Sequence, residues 1–148
     1  MKLNDRGINV MHEFEGLKLD AYLCPANVPT IGWGNTRYED GTPVKMGEAI
    51  SRERADELFR NIAGTFSNGV RNMVTVELTE NQFSALVCFA YNVGLANLKR
   101  STLLKKVNAN PNDSSIGVEF LRWNKAGGRE LAGLTRRRKA EADLYFSI

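Results

Sequence analysis

Glu15-Gly16-Leu17-Lys18-Leu19-Asp20-Ala21-Tyr22-Leu23-Cys24, closed after a short gap by Thr30-Ile31-Gly32-Trp33-Gly34-Asn35, is the stretch that decides the fold. Upstream of it Ile8, Met11 and Phe14 recur at helical spacing over residues 4–14, and Gly16 stands where a left-handed residue would end that helix. Immediately afterwards Leu17, Leu19, Ala21 and Leu23 alternate with Lys18, Asp20, Tyr22 and Cys24, and this period of two predicts a half-buried strand. Pro25-Ala26-Asn27-Val28-Pro29 reads as a turn. Residues 30–35 read as a second strand whose glycines permit close approach of a chain or ligand, and a third short strand is expected around 42–44.

Beyond Ser51 the pattern is helical to the end. Ala55, Leu58, Phe59, Ile62 and Phe66 mark one long amphipathic helix behind a Ser51 N-cap. Thr79 and Gln82 form a capping box opening a helix whose buried face is Phe83, Leu86, Val87 and Ala90. Two shorter helices are expected after Ser101 and after Ser115, and a last one over 135–146 behind the glycine-bearing loop 126–133. The expected architecture is α+β, a small N-terminal sheet beside a larger helical lobe, with the ligand site in a cleft between them. At 148 residues the chain is expected to form one domain over 1–148.

Composition narrows the class. With 43% hydrophobic and 25% charged residues the chain can bury a core. No stretch approaches a membrane span, so no membrane insertion is expected. The N-terminus turns polar at once, which predicts a protein kept in the cytoplasm after synthesis. A net charge of +3 favours an anionic polymer without choosing between nucleic acid and cell wall. Cys24 and Cys88 lie far apart, with one histidine, His12, to join them; no metal site is expected, and reduced thiols are the expectation for a cytoplasmic protein.

Glu15, at the last turn of a helix beside a glycine-bearing hairpin, faces the negative end of the helix dipole, which favours its protonated form. A general acid for glycosidic cleavage needs that property. A solvated glutamate at a helix end has the same local pattern. What separates the two is the whole segment from Glu15 to Gly34, which closely resembles the phage-type lysozyme family, glycoside hydrolase family 24. That family carries a glutamate, eight residues, an aspartate or cysteine, five residues and a threonine, and Glu15, Cys24 and Thr30 match. The resemblance continues through Thr79-Glu80-Asn81-Gln82-Phe83, Phe89-Ala90-Tyr91-Asn92-Val93-Gly94, Ser101-Thr102-Leu103-Leu104, Trp123, Gly127-Gly128 and Gly133-Leu134-Thr135-Arg136-Arg137-Arg138-Lys139-Ala140-Glu141.

The resemblance implies hydrolysis of the bond between N-acetylmuramic acid and N-acetylglucosamine in peptidoglycan, without a cofactor. It makes Glu15 the acid and gives Thr30 a part in placing the water. Cys24 stands where an aspartate is more usual. A thiol is a poor base at neutral pH unless its surroundings favour the thiolate, for which a nearby cation such as Lys18 is one source. Cys24 thus reads as a base for water or as a nucleophile on the anomeric carbon, with Asp20 the nearest spare carboxylate. Thr36, Phe89, Asn92 and Ser101 match segments that line the family's cleft, though each also has an ordinary role, as core aromatic, helix terminator or N-cap. Tyr22 and Trp33 read as packing or sugar-stacking aromatics.

The basic run Arg136-Arg137-Arg138-Lys139 opens a helix, so its members point in several directions and read as a solvated helix end; no nucleic acid partner is expected. His12 reads as a surface or packing residue. The family also implies an endolysin that waits in the host cytoplasm for a holin and then acts on the wall in the periplasm; a monomer is the default expectation. A lytic transglycosylase, a silent wall-binding module and a basic nucleic-acid-binding domain are the competing readings.

Overall fold

The computed structural model describes residues 1–148. In chain order the elements are α1 (Asp5–Glu15), β1 (Lys18–Leu23), β2 (Pro29–Gly32), α2 (Arg52–Met73), α3 (Glu80–Val93), α4 (Leu95–Arg100), α5 (Thr102–Ala109), α6 (Ile116–Leu121), β3 (Lys125–Ala126), β4 (Arg129–Glu130) and α7 (Ala132–Tyr145). They fall into two compact units, residues 12–65 and residues 1–11 with 66–148.

The unit of residues 12–65 holds the sheet. Gly16, at φ +69°, ends α1 in the left-handed region and turns the chain into β1. β1 and β2 pair antiparallel, Tyr22 opposite Thr30 and Leu23 opposite Pro29, with an irregularity between Lys18 and Tyr22. The connecting turn places Asn27 at φ +62° and bonds the Cys24 amide to the Val28 carbonyl at 3.1 Å. The expected third strand at 42–44 is reduced to a single bridge, Arg37 to Pro43, because Arg37–Thr42 is spent on a turn built on Asp40. β1 is also less buried than its alternation implies: Leu19 and Leu23 are exposed, and only Ala21 joins the small core of Ile31, Val44 and Leu58. A two-stranded sheet has too little area to cover one whole face of a strand. Ser51 caps α2 as expected, its hydroxyl accepting the Arg54 amide at 3.1 Å.

The other unit is helical around α3. Residues 82–90 of α3 are buried without a break, the signature of a helix apolar all round and enclosed by others. The capping box forms as read: Thr79 Oγ1 accepts the Gln82 amide at 3.1 Å and Gln82 Oε1 accepts the Thr79 amide at 2.9 Å. α7 packs on α3 and α6, with Phe83, Leu86, Phe89, Phe120 and Tyr145 in the shared core. Two elements differ from the sequence reading. α4 has no counterpart in the sequence reading; Gly94, at φ +95°, ends α3 and also opens this six-residue helix. The loop 126–133 is a tight hairpin, β3 to β4, turned by Gly127 and Gly128, both at positive φ. α7 consequently starts at Ala132, three residues before the expected position.

Candidate active site

Glu15 occupies the last position of α1, half-buried. Its carboxyl group lies against the backbone of Gly34: a Cβ built on Gly34 would come within 2.8 Å of Glu15 Cδ. Gly34 itself is at φ +79° in the turn that follows β2. Only a glycine serves there, for backbone conformation and for space. The turn is held from behind by Trp33, which is buried, stacks on His12 at 3.7 Å between ring centroids with planes 10° apart, and donates from Nε1 to Asp56 at 2.9 Å. His12 and Trp33 therefore act in packing; burial first, then the field of Arg52 against that of Asp56, holds the imidazole below its ordinary pKa.

Cys24 follows β1 and is half-buried. Its pKa is below that of an ordinary thiol. The leading cause is a hydrogen bond from the Val28 backbone, ahead of one from the Thr30 hydroxyl. The thiolate thus forms more readily than in a free cysteine, through turn geometry and not through the cation at Lys18 that sequence suggests. Thr30 is buried, and its hydroxyl donates to the Val28 carbonyl at 2.8 Å. Tyr22 ties the group together: after burial, the charges of Glu15 and then Cys24 raise its phenol pKa, so both groups bear on this side chain. Asp20 is exposed, and Thr36 is an exposed residue beyond the hairpin whose carbonyl accepts the Val44 amide.

The remaining candidates lie in the other unit, and the structure gives them unequal roles. Phe89 is fully buried, edge-to-face with Phe120 at 5.7 Å and Trp123 at 5.6 Å. Ser101 is buried as the cap of α5, accepting the Leu104 amide at 3.0 Å and donating to the Leu98 carbonyl at 2.7 Å. Both hold the ordinary positions their residue types allow. Asn92, in the last turn of α3, is exposed. Its Oδ1 accepts from Arg138 at 2.9 Å.

The reading of Arg136-Arg137-Arg138-Lys139 as a solvated helix end is overturned for two of its four members. Arg137 and Arg138 are 4% and 0% exposed, and both pair with Glu141, itself 0% exposed. Burial pushes the Glu141 carboxyl up to about 7 against the pull of both guanidiniums. Spacing carried the missed signal, because an acid three and four residues after two arginines places all three on one helix face. Cys24 and Cys88 are both free thiols, and buried Cys88 donates to the Gly7 carbonyl at 3.2 Å.

A family model described as phage lysozyme matches residues 12–141. The chain belongs to the phage lysozyme family. It is 42% identical to an endolysin of Bacillus phage B103 over 99% of its own length and 55% of that protein's, so it spans little more than half of that relative. To the endolysin of Salmonella phage P22 it is 33% identical over 99% of both chains. The solved endolysin from Escherichia coli O157:H7 phage FAHEc1 superposes with a TM-score of 0.88 at 37% identity, covering 99% of this chain and 94% of that one. As a member of the phage lysozyme family the chain has the lysozyme-like fold expected from its sequence.

Proposed function

We propose that residues 1–148 act as one catalytic domain that hydrolyses the N-acetylmuramic acid to N-acetylglucosamine bond of bacterial peptidoglycan, without a cofactor. The observation that carries this reading is the Glu15 carboxyl seated on the Gly34 turn, in the same compact unit as Cys24 and Thr30, which are both bonded to the Val28 carbonyl. Glu15 delivers its proton to the glycosidic oxygen as the bond to the anomeric carbon breaks. The Cys24 thiolate sets a negative charge against the positive charge growing on that carbon. It then removes a proton from the attacking water or bonds to the carbon itself, and the anomer released distinguishes the two. The single Thr30 hydroxyl proton goes to the Val28 carbonyl or, once the thiolate forms, to Cys24; in either case the Thr30 oxygen is left to accept from that water, which turns a water lone pair toward carbon. Thr36 and Asn92 contact the glycan; Phe89 and Ser101 support the helices that present it.

The endolysin relatives support action on the cell wall; to this we add a monomer held in the host cytoplasm until lysis and released through a holin pore to act in the periplasm. No helix is long and apolar enough to cross a membrane. The test is loss of turbidity of outer-membrane-permeabilised cells, comparing the unmodified protein with Glu15→Gln and Cys24→Ser, each checked for folding by circular dichroism. Clearing by the unmodified protein and none by Glu15→Gln supports the assignment. Equal clearing by all three, or by none, overturns it. Mass analysis of the released glycan separates hydrolysis from anhydro-ring closure, because only hydrolysis adds a water.

A further inference from the structure

His12 and Glu15 stand three residues apart on α1 and so share one face of the helix. Trp33 and Gly34 are neighbours in the turn after β2. The His12 ring stacks flat on Trp33, 3.7 Å between centroids with planes 10° apart, while the Glu15 carboxyl lies against Gly34. One helix end thus meets one turn through two neighbouring pairs, and the stack limits how far the second pair can separate. Phe59 of α2 closes on the imidazole edge-to-face at 4.5 Å, and Trp33 is anchored in turn by its Nε1 bond to Asp56 at 2.9 Å. The His12 carbonyl also accepts the Gly16 amide at 3.0 Å, the bond that closes the helical turn carrying Glu15. All of these groups belong to the unit of residues 12–65.

The clasp suits a neutral ring. His12 Nε2 is enclosed and meets no acceptor, so a proton placed there would leave a charged donor unpaired away from water. Burial is accordingly the leading cause that holds the imidazole below its ordinary pKa. The two charges that bear on the ring both come from α2. Asp56 favours a proton, but one of its oxygens accepts from Trp33 and the other lies 3.6 Å from Arg52. Arg52 opposes a second cation, its guanidinium already lying over the same indole at 5.8 Å from the centroid.

We propose that His12 is the positioning residue of Glu15: its neutral ring, stacked on Trp33, clasps the end of α1 to the Gly34 turn and sets where the acid stands. This rests on the glycan-cleaving activity proposed above, in which Glu15 gives its proton to the glycosidic oxygen. His12 acts through Glu15 and not on the sugar. A displaced carboxyl delivers its proton more slowly while substrate binding stays intact, so the effect falls on kcat and not on KM.

The test measures kcat and KM on soluble peptidoglycan strands across the acid and neutral range for the unmodified protein, His12→Ala and His12→Phe, with thermal unfolding beside them. His12 is the only histidine in the chain, so its ring-proton NMR signal gives the midpoint of its titration directly. That midpoint is expected below the 6.5 of an ordinary histidine. As pH drops through it, kcat of the unmodified protein is expected to fall about tenfold. His12→Ala removes the stack and is expected to lose about tenfold in kcat at neutral pH, with KM unchanged. His12→Phe returns a ring that cannot take a proton; it is expected to recover most of that loss and to lack the step at the His12 midpoint. A step belonging to Cys24 stays in both proteins and does not enter the comparison. A merely structural role lowers thermal stability without splitting kcat from KM and leaves the pH step in place. An active unmodified protein whose pH step persists in His12→Phe, or whose kcat survives His12→Ala, overturns this inference alone. Should His12→Ala not fold, the His12→Phe profile decides. An unmodified protein inactive throughout overturns the proposed activity, and this inference with it.

Discussion

At Cys24 a hydrogen bond from the Val28 backbone, with the Thr30 hydroxyl second, holds the thiol below its ordinary pKa. Alkylation proceeds through the thiolate, so its rate against pH is expected to show a midpoint below the value near 8.5 of a free cysteine. Thr30→Val removes the second of those hydrogen bonds and is expected to move the midpoint up. Cys88, buried and pushed up by desolvation, is expected to stay unlabelled until the protein unfolds. A midpoint at or above the free value, measured by iodoacetamide labelling and mass spectrometry, would remove the basis for a thiolate at Cys24. Gly34 gives a second test at this scale. Alanine there must hold φ +79° and displace the Glu15 carboxyl, so stability is expected to fall by about 1–2 kcal/mol. Activity is expected to fall about a hundredfold, because misplacing a catalytic group by an ångström has that effect. Comparable loss of stability with full activity would show that Gly34 does not seat Glu15.

Within the elements, two helical glycines show how packing decides the sign of one substitution. Gly7 of α1 lies so close to α3 that a Cβ would stand 2.7 Å from Ser84 Cβ and 2.9 Å from Leu3 Cδ1. Ser84 cannot retreat, since α3 is enclosed and the Ser84 hydroxyl accepts the Asn4 amide at 3.0 Å. Gly7→Ala is expected to lose about 1–3 kcal/mol by overpacking, more than its helix propensity returns. Gly64 of α2 has nothing within 4 Å of the same built atom. Gly64→Ala is expected to gain about 0.5–1 kcal/mol by removing glycine's freedom from the unfolded chain. Urea melts of the two variants check both signs, and a neutral Gly7→Ala would mean α1 can shift away from Ser84. Neither site differs from the other in sequence, where both are glycines in helical periodicity. The capping box of α3 and the Ser51 cap of α2 were legible because a cap is made by residues three apart. α4 was not, because a six-residue helix behind a glycine has no periodicity of its own and depends on burying Leu98.

For the whole molecule, the acid limb of stability should carry the mark of Glu39. Its carboxylate accepts from both ends of the Arg54 guanidinium, at 2.7 and 2.8 Å, and from Asn61 at 2.9 Å. These bonds hold its pKa down to about 2, Arg54 being the larger cause. A carboxyl depressed on folding stabilises above its unfolded pKa near 4.5, and that contribution is lost as pH falls from there to about 2. The pair is partly exposed, so screening limits it to about 0.5–1 kcal/mol, less in high salt. Glu39→Gln is expected to lower stability by that amount at pH 7 and not at all at pH 2; an equal loss at both would assign the effect to packing. Periodicity, caps and turn residues are local, and by themselves they determined the helix-to-strand switch at Gly16, the α+β class and the family spacing of Glu15, Cys24 and Thr30. Burial and long-range pairing are not local. Only the tertiary structure decided that Arg137 and Arg138 lie inside and that Glu141 holds them. It also decided that Phe89 is enclosed against Phe120 and Trp123. Each of these depends on which distant groups exclude water from a side chain, and desolvation sets whether a charge or a polar atom must find a partner.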